Sequence, residues 1–363
     1  MSNSRLNPPR KVLACLAAAV VAAGALSACG GSTSSSGSGG GGSFSGKALT
    51  MVTYGGETEA ALTKAIADPF AQATGAKVVQ DSPLDYAKIK AQQQAGNVTW
   101  DAVTSEPFVT AGQCGTTYLP LKGVDRARID KRFISDDCSV PADVYSAVLL
   151  YDKKKFGSNP PTGWKDFFDV RRYPGKRAVW NYVGGNALEA AALADGVPAD
   201  KLYPLDIDRA ANKLKSLGGN IGYYSSLAQG PEMLLNGQVS MVMSYNTRAY
   251  VAVNAAPDTV GVVWNQEILA WDAWAVPKGV KNPSLAMAFL NYIAKPSTQE
   301  NIAKTYPYGA TVRKPNYAGV SGTTRAFLPT SGDRLANAVW IDPNWYAKNF
   351  DRANTAFTSL QSG

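Results

Sequence analysis

An α/β fold is what the patterning of this chain predicts, on three observations. Apolar β-type runs alternate with helical stretches from residue 48 onward, no repeat of fixed period is visible, and 45% hydrophobic against 18% charged residues suits a folded body rather than a disordered one. About 317 residues follow Gly46, enough for one large or two medium domains with a sizeable core, so two lobes are expected.

The elements follow in order. Residues 48–54 read as a strand that stops at Gly55-Gly56-Glu57-Thr58, and from 59 to 70 apolar residues recur at helical spacing, with Thr58 or Glu57 as the cap. Residues 76–80 form a second strand, 85–95 a helix and 100–104 a third strand. Further strands are expected at 147–151, 177–180 and 239–245, with helices at 186–194, 207–217, 232–236, 283–293 and 298–305. Trp164, Phe167 and Phe168 have helical spacing and read as packing, and a last helix over 342–350 docks onto the second lobe. This alternation predicts mainly parallel sheets flanked by helices.

The N-terminus has a separate logic. Arg5, Arg10 and Lys11 precede a short apolar run over 12–26, the layout of an export signal that is too short for a comfortable membrane span. Leu26-Ser27-Ala28-Cys29 then resembles a bacterial lipobox, in which the cysteine carries lipid. Residues 30–46 are almost entirely Gly and Ser, a tether expected to bury and order nothing. The expected organisation is a signal at 1–28, a lipidated tether at 29–46, lobe 1 at 47–145 plus 272–318, and lobe 2 at 146–271 plus 319–363. The protein is expected to be exported and held by lipid on the outer face of the cell membrane.

Composition excludes several functions. The net charge of +8 comes from scattered Lys and Arg with no basic stripe, so nucleic acid is not an expected partner. The chain has no histidine, which removes the usual general base of hydrolases and the commonest zinc ligand. Neither a Walker A loop nor a dinucleotide-binding glycine fingerprint occurs, and no cofactor or metal is expected. An enzyme using paired carboxylates stays open only through combinations such as Glu106 with Asp272, which no sequence feature supports. In an exported protein, Cys114 and Cys138 are expected to pair as a disulfide.

In open α/β sheets, ligands bind beyond the carboxyl ends of the strands. Tyr54-Gly55-Gly56, Ser105-Glu106, Asn181-Tyr182-Val183-Gly184 and Tyr245-Asn246 all fall at such ends, and together they point to a ligand site.

Several segments resemble the extracellular solute-binding proteins of ABC transporters, specifically the spermidine/putrescine-like group. They include Thr53-Tyr54-Gly55-Gly56, Phe70-Ala71-Gln72-Ala73-Thr74-Gly75, Trp100-Asp101-Ala102-Val103, Trp164-Lys165-Asp166-Phe167-Phe168, Arg172-Tyr173-Pro174-Gly175-Lys176 and Trp271-Asp272-Ala273-Trp274-Ala275. The resemblance spans roughly residues 49–349. It implies a two-lobed periplasmic-binding-protein fold of type II, a monomer that closes around a small solute and delivers it to a permease driven by an ATPase. It makes Asp272 the carboxylate that meets an ammonium group, and Tyr54, Tyr245 and Tyr308 aromatic walls. Gly55, Gly56, Glu106 and Trp271 complete the expected site, with Trp264 as a further wall and Glu57 as a second source of charge. Carboxylates with aromatic faces suit an organic cation, polyamine-like by this resemblance. The family's second-lobe acids have no counterpart near Gly184, Gly185 and Asn186, where the next acid is Glu189, so a shorter diamine, a monocation or another polar solute such as an amino acid remains open. A signalling or adhesion lipoprotein that reuses the fold is the alternative role.

Overall fold

The computed structural model describes residues 44–361. The signal sequence, Cys29 and the tether up to residue 43 lie outside the described residues. The last residues of the expected tether belong to the folded body instead: the Phe44 amide donates to the Thr74 carbonyl (2.9 Å), and the Phe44 ring packs against the core. One apolar side chain at the end of a Gly/Ser stretch is enough to dock it.

Ten strands form one continuous sheet. They are β1 (Ala48–Val52), β2 (Lys77–Asp81), β3 (Ala102–Ser105), β4 (Ser139–Asp152), β5 (Arg177–Trp180), β6 (Ile221–Tyr224), β7 (Met241–Tyr245), β8 (Val260–Ala275), β9 (Gly309–Ala310) and β10 (Val339–Trp340). Their order is β2-β1-β3-β8-β4-β7-β5-β6, with β10 on β8 and β9 on β4. The flanking triplets β2-β1-β3 and β7-β5-β6 pair in parallel, as helix-linked strands must. The centre departs from the expected parallel pattern, because β8 runs antiparallel to β3 and β4, and β4 runs antiparallel to β7.

These two central strands explain how one sheet serves two lobes. β4 has 14 residues and β8 has 16, far beyond a usual strand of five or six, so each spans both halves. β8 pairs with β3 through its last residues, Ala273 to Ala275, while its beginning at Val260 pairs with Asp152 at the far end of β4. Their ladder is broken between Pro141 and Val144 and between Ala147 and Leu149. Bulges of this kind re-aim side chains and bend a strand. Only 147–151 of β4 was legible in sequence, since Pro141 interrupts the alternation that would have marked its first half.

The first helical stretch corrects the expected cap. Helix Gly56–Leu62 begins one turn early, capped by Gly55 at φ 86°, a backbone conformation that favours glycine, and neither Glu57 nor Thr58 caps it. By contrast, Asp85 and Asp342 cap helices Tyr86–Gln94 and Pro343–Ser359 by accepting backbone N–H bonds. The Cys114–Cys138 disulfide, with Cα atoms 5.4 Å apart and a sequence separation of 24, ties the end of helix Pro107–Gln113 to the start of β4. A closed loop of that size stabilises by about 3–4 kcal/mol in the chain-entropy model. Among the described residues no helix is long and apolar enough to cross a membrane.

Candidate functional site

A cavity of about 560 Å³ opens where the parallel triplets end against the middle of β4 and β8. That volume lies within the usual range for small-molecule sites. Tyr54 and Gly55 reach it from the end of β1, Glu106 from the end of β3, and Trp180 and Tyr182 from the end of β5. Tyr245, Thr247 and Arg248 enter from the end of β7, Tyr145 from β4, Asp272 from β8, and Tyr308 from just before β9.

Aromatic rings make most of the wall. Tyr145 and Tyr245 meet edge to face with centroids 5.1 Å apart, Trp180 lies 6.1 Å from Tyr245 in the same manner, and Tyr182 tilts against Trp180 at 4.9 Å. Edge contacts of this type lock the rings and leave faces for a ligand. The Tyr308 hydroxyl bonds the Thr58 hydroxyl at 3.1 Å, which is what Thr58 does in place of capping.

Three acids gather in this apolar frame. Glu106 accepts hydrogen bonds from the hydroxyls of Tyr86 and Tyr182, the latter at 3.2 Å. Asp272 lines the cavity, and Asp143 lies behind it, with Oδ1 accepting from Trp274 Nε1 at 3.3 Å. None of the seven ion pairs among the described residues includes Asp272, Asp143 or Glu106. Burial pushes the Asp272 carboxyl well above the ordinary carboxylate range, and the charges of Asp143 and Glu106 push it further. Burial raises Asp143 and Glu106 as well. Buried carboxylates without a protein cation are costly, and an incoming ammonium removes that cost.

Arg248 gives the cavity a second pole. Its Nη1 pairs with Glu57 at 2.7 Å, and the Tyr306 hydroxyl donates to the same Glu57 oxygen at 3.0 Å. Its Nε is buried with no hydrogen-bond partner among the described residues, and Arg248 lines the cavity. A guanidinium in such a place suits a carboxylate.

Six expected site residues, Tyr54, Gly55, Glu106, Tyr245, Asp272 and Tyr308, line the cavity together. Two do not. Gly56 is exposed on the first turn of its helix, and Trp271 is buried on the opposite face of β8, edge-on to Phe133 at 5.2 Å. Strand alternation sends neighbours to opposite sides, so Trp271 and Asp272 cannot both face the solute. Trp264 lies under the Arg334 guanidinium (3.6 Å) in a separate groove, Glu57 is engaged by Arg248, and Glu189 is buried while accepting from Tyr203 (2.7 Å) and Tyr346 (2.6 Å). Asn246 is structural: it donates to the carbonyls of Pro307 and Phe327 and accepts from the Ser146 amide. Sequence reasoning missed Tyr145, Asp143 and Arg248. The two-residue spacing of Asp143 and Tyr145 was the available signal for the β4 pair, and the place of Arg248 one turn into the helix after β7 was the signal for the arginine.

A cluster of Cys114, Asp136 and Cys138 has the spacing of a metal site, but both sulfurs are spent in the disulfide and Asp136 accepts from the Cys138 amide at 2.7 Å.

Residues 65–321 match the model of the bacterial extracellular solute-binding protein family, and the chain belongs to that family. It is 32% identical to the gamma-aminobutyric acid-binding protein of Pseudomonas aeruginosa over 322 residues, covering 86% of this chain and 90% of that one. It is 31% identical to the spermidine/putrescine-binding periplasmic protein of Escherichia coli over 115 residues, or 31% of this chain and 32% of that one. Among solved structures it resembles the Atu4243–GABA receptor, with a TM-score of 0.79 and 33% identity over 87% of this chain and 98% of that one. An ABC transporter substrate-binding protein from Bradyrhizobium japonicum gives a TM-score of 0.80 and 32% identity over 86% and 99%. The fold is therefore the two-lobed periplasmic-binding-protein fold, and the chain is the solute-binding component of an ABC transporter rather than an enzyme.

Proposed function

We propose that this chain captures a small ω-amino acid of the 4-aminobutanoate class, a solute with a primary ammonium at one end and a carboxylate at the other. The observation that carries this reading is the two-pole cavity: Asp272 and Glu106 among aromatic faces, with Arg248 Nε left without a partner. The ammonium goes to the acids and rings, where each aromatic face adds about 0.5–2 kcal/mol. The carboxylate goes to Arg248. Arg248 has donors and no acceptor to offer the second ammonium of a diamine, which argues for the zwitterion over a polyamine. The extent of the likeness to a gamma-aminobutyric acid-binding protein supports the same choice. A diamine is the second reading, favoured by the surplus of acids over arginines at the cavity and by the shorter likeness to spermidine/putrescine-binding proteins.

The protein acts outside the cell as a monomer, held near its permease by lipid on Cys29, with lobes at 47–145 plus 272–318 and 146–271 plus 319–363 closing on the solute by a hinge motion. Replacement of the anchor by Cys29→Ala releases the protein from the membrane fraction and leaves solute affinity unchanged; retention of the variant at the membrane contradicts the anchor. The solute itself is tested by thermal shift with 4-aminobutanoate, putrescine, spermidine, glycine betaine and glucose. A ligand at 100 times its dissociation constant stabilises by about 2.7 kcal/mol. The largest shift is expected with 4-aminobutanoate; a response to putrescine or spermidine without one to 4-aminobutanoate transfers the reading to polyamines.

A further inference from the structure

Asp143 is a buried acid that the solute reading leaves without a task. The ladder between β4 and β8 pairs Pro141 with Ala273 and Val144 with Trp271, so Ala142 and Asp143 together oppose the single residue Asp272. This bulge sets the two carboxyls side by side. Trp274 Nε1 occupies Asp143 Oδ1, while Oδ2 is fully buried and no N–H or O–H of the described residues donates to it. Asp272 stands opposite Asp143 in this register, and Trp274, two residues on and therefore on the same face of β8, holds the Asp143 carboxyl to that face. Two ionised carboxylates are acceptors only, and a hydrogen bond between them exists only when one holds a proton.

We infer that Asp143 and Asp272 share one proton in the empty site, and that the incoming ammonium expels that proton to solvent. The step balances: the ligand-free pair holds one proton and one negative charge, and the loaded pair holds two negative charges against the ammonium, with one proton released per solute bound. Asp143 is then a positioning residue that acts through Asp272. It makes solute capture pH-dependent and gives a primary ammonium, which donates an N–H bond to the Asp272 carboxylate, an advantage over a quaternary one. The inference rests on the proposal that the solute carries an ammonium group.

The surroundings of the pair are consistent with a retained proton. Glu106 faces it from the N-terminus of helix Pro107–Gln113, and its negative charge opposes a second ionisation. Tyr54, Tyr145, Tyr245 and Tyr308 face Asp272 from β1, β4, β7 and the β9 approach, all held neutral by burial. The Arg248 guanidinium lines the same cavity but is paired with Glu57. Burial and mutual repulsion displace the pair upward, so the pH window begins above the ordinary aspartate value of about 4 and runs toward neutrality.

The test has two arms. In ligand-free protein carrying carboxyl-labelled aspartate, NMR is expected to find one coupled titration above the ordinary range that disappears in Asp143→Asn and in Asp272→Asn. Both carboxyls ionised throughout the range above about pH 5 overturn the inference. In the second arm, calorimetry with 4-aminobutanoate in buffers of different ionisation enthalpy is expected to register one proton released per site, with affinity falling about tenfold for each pH unit below the pair's apparent pKa and this slope flattened in Asp143→Asn. Binding with no buffer dependence in that window overturns it. If 4-aminobutanoate does not bind, the solute reading falls, and the ligand-free titration still decides the shared proton. If Asp143→Asn does not fold, Asp272→Asn decides it.

Discussion

Asp272 stands beside Trp271, and one residue of strand register separates a cavity-lining carboxyl from a core side chain. Both lie in one segment of the family resemblance, and only the pleat decides that the carboxyl faces the cavity while the indole packs on Phe133. Strand-end residues such as Tyr54, Glu106 and Tyr245 were legible because a strand end fixes its side chains near the cleft whatever the rest of the fold does. Asp143 and Tyr145 were not, since their place depends on a bulge made with a strand more than a hundred residues away. Replacing Asp272 by Asn keeps its shape and removes its charge. Breaking a desolvated charge pair at a binding site costs about 2–5 kcal/mol, so the variant is expected to bind 4-aminobutanoate at least about thirty-fold more weakly by calorimetry. An unchanged affinity would remove Asp272 from the ammonium site.

The elements that matter most are β4 and β8, which carry cavity-lining residues and also join the halves. Their regular ends were partly visible as apolar runs, but their length was hidden by Pro141 and by Gln266, whose φ of 56° interrupts β8. Directly after that interruption, Glu267 is buried between the strands, accepting from the Ser146 hydroxyl at 2.5 Å, and burial raises its pKa from 4.5 to about 7. The folded state thus holds this proton more tightly than the unfolded chain. Stability is expected to fall as pH rises from about 4.5 to about 7, by up to about 3 kcal/mol, and to stay level above that. Glu267→Gln removes this part of the slope in denaturant melts compared at pH 5 and pH 8. An identical slope in the variant would assign the pH dependence to other acids.

At the scale of the whole molecule, the described residues form two α/β halves around a cavity whose walls come from both triplets of parallel strands. Side-chain contacts that reach across it include Arg248, after β7, with Glu57, after β1, and Tyr182, after β5, with Glu106, after β3. Under the proposed reading, a solute that satisfies Asp272 at one pole and Arg248 at the other adds to these contacts and is expected to favour closure of the halves. The fold class was readable from residue patterns, Glu106 from its strand end and Asp272 only through the family resemblance; Arg248 was not, because a single arginine among 36 Lys and Arg residues has no signature until the chain folds around it. The central claim is a cavity with two poles, and calorimetry of the wild type and Arg248→Gln with 4-aminobutanoate and putrescine tests it directly. The wild type is expected to prefer 4-aminobutanoate, and the variant to lose about 1.5–3 kcal/mol toward it, roughly ten- to 150-fold, while binding putrescine no worse. Equal binding of 4-aminobutanoate by both proteins, or a wild type that takes putrescine alone, would contradict it.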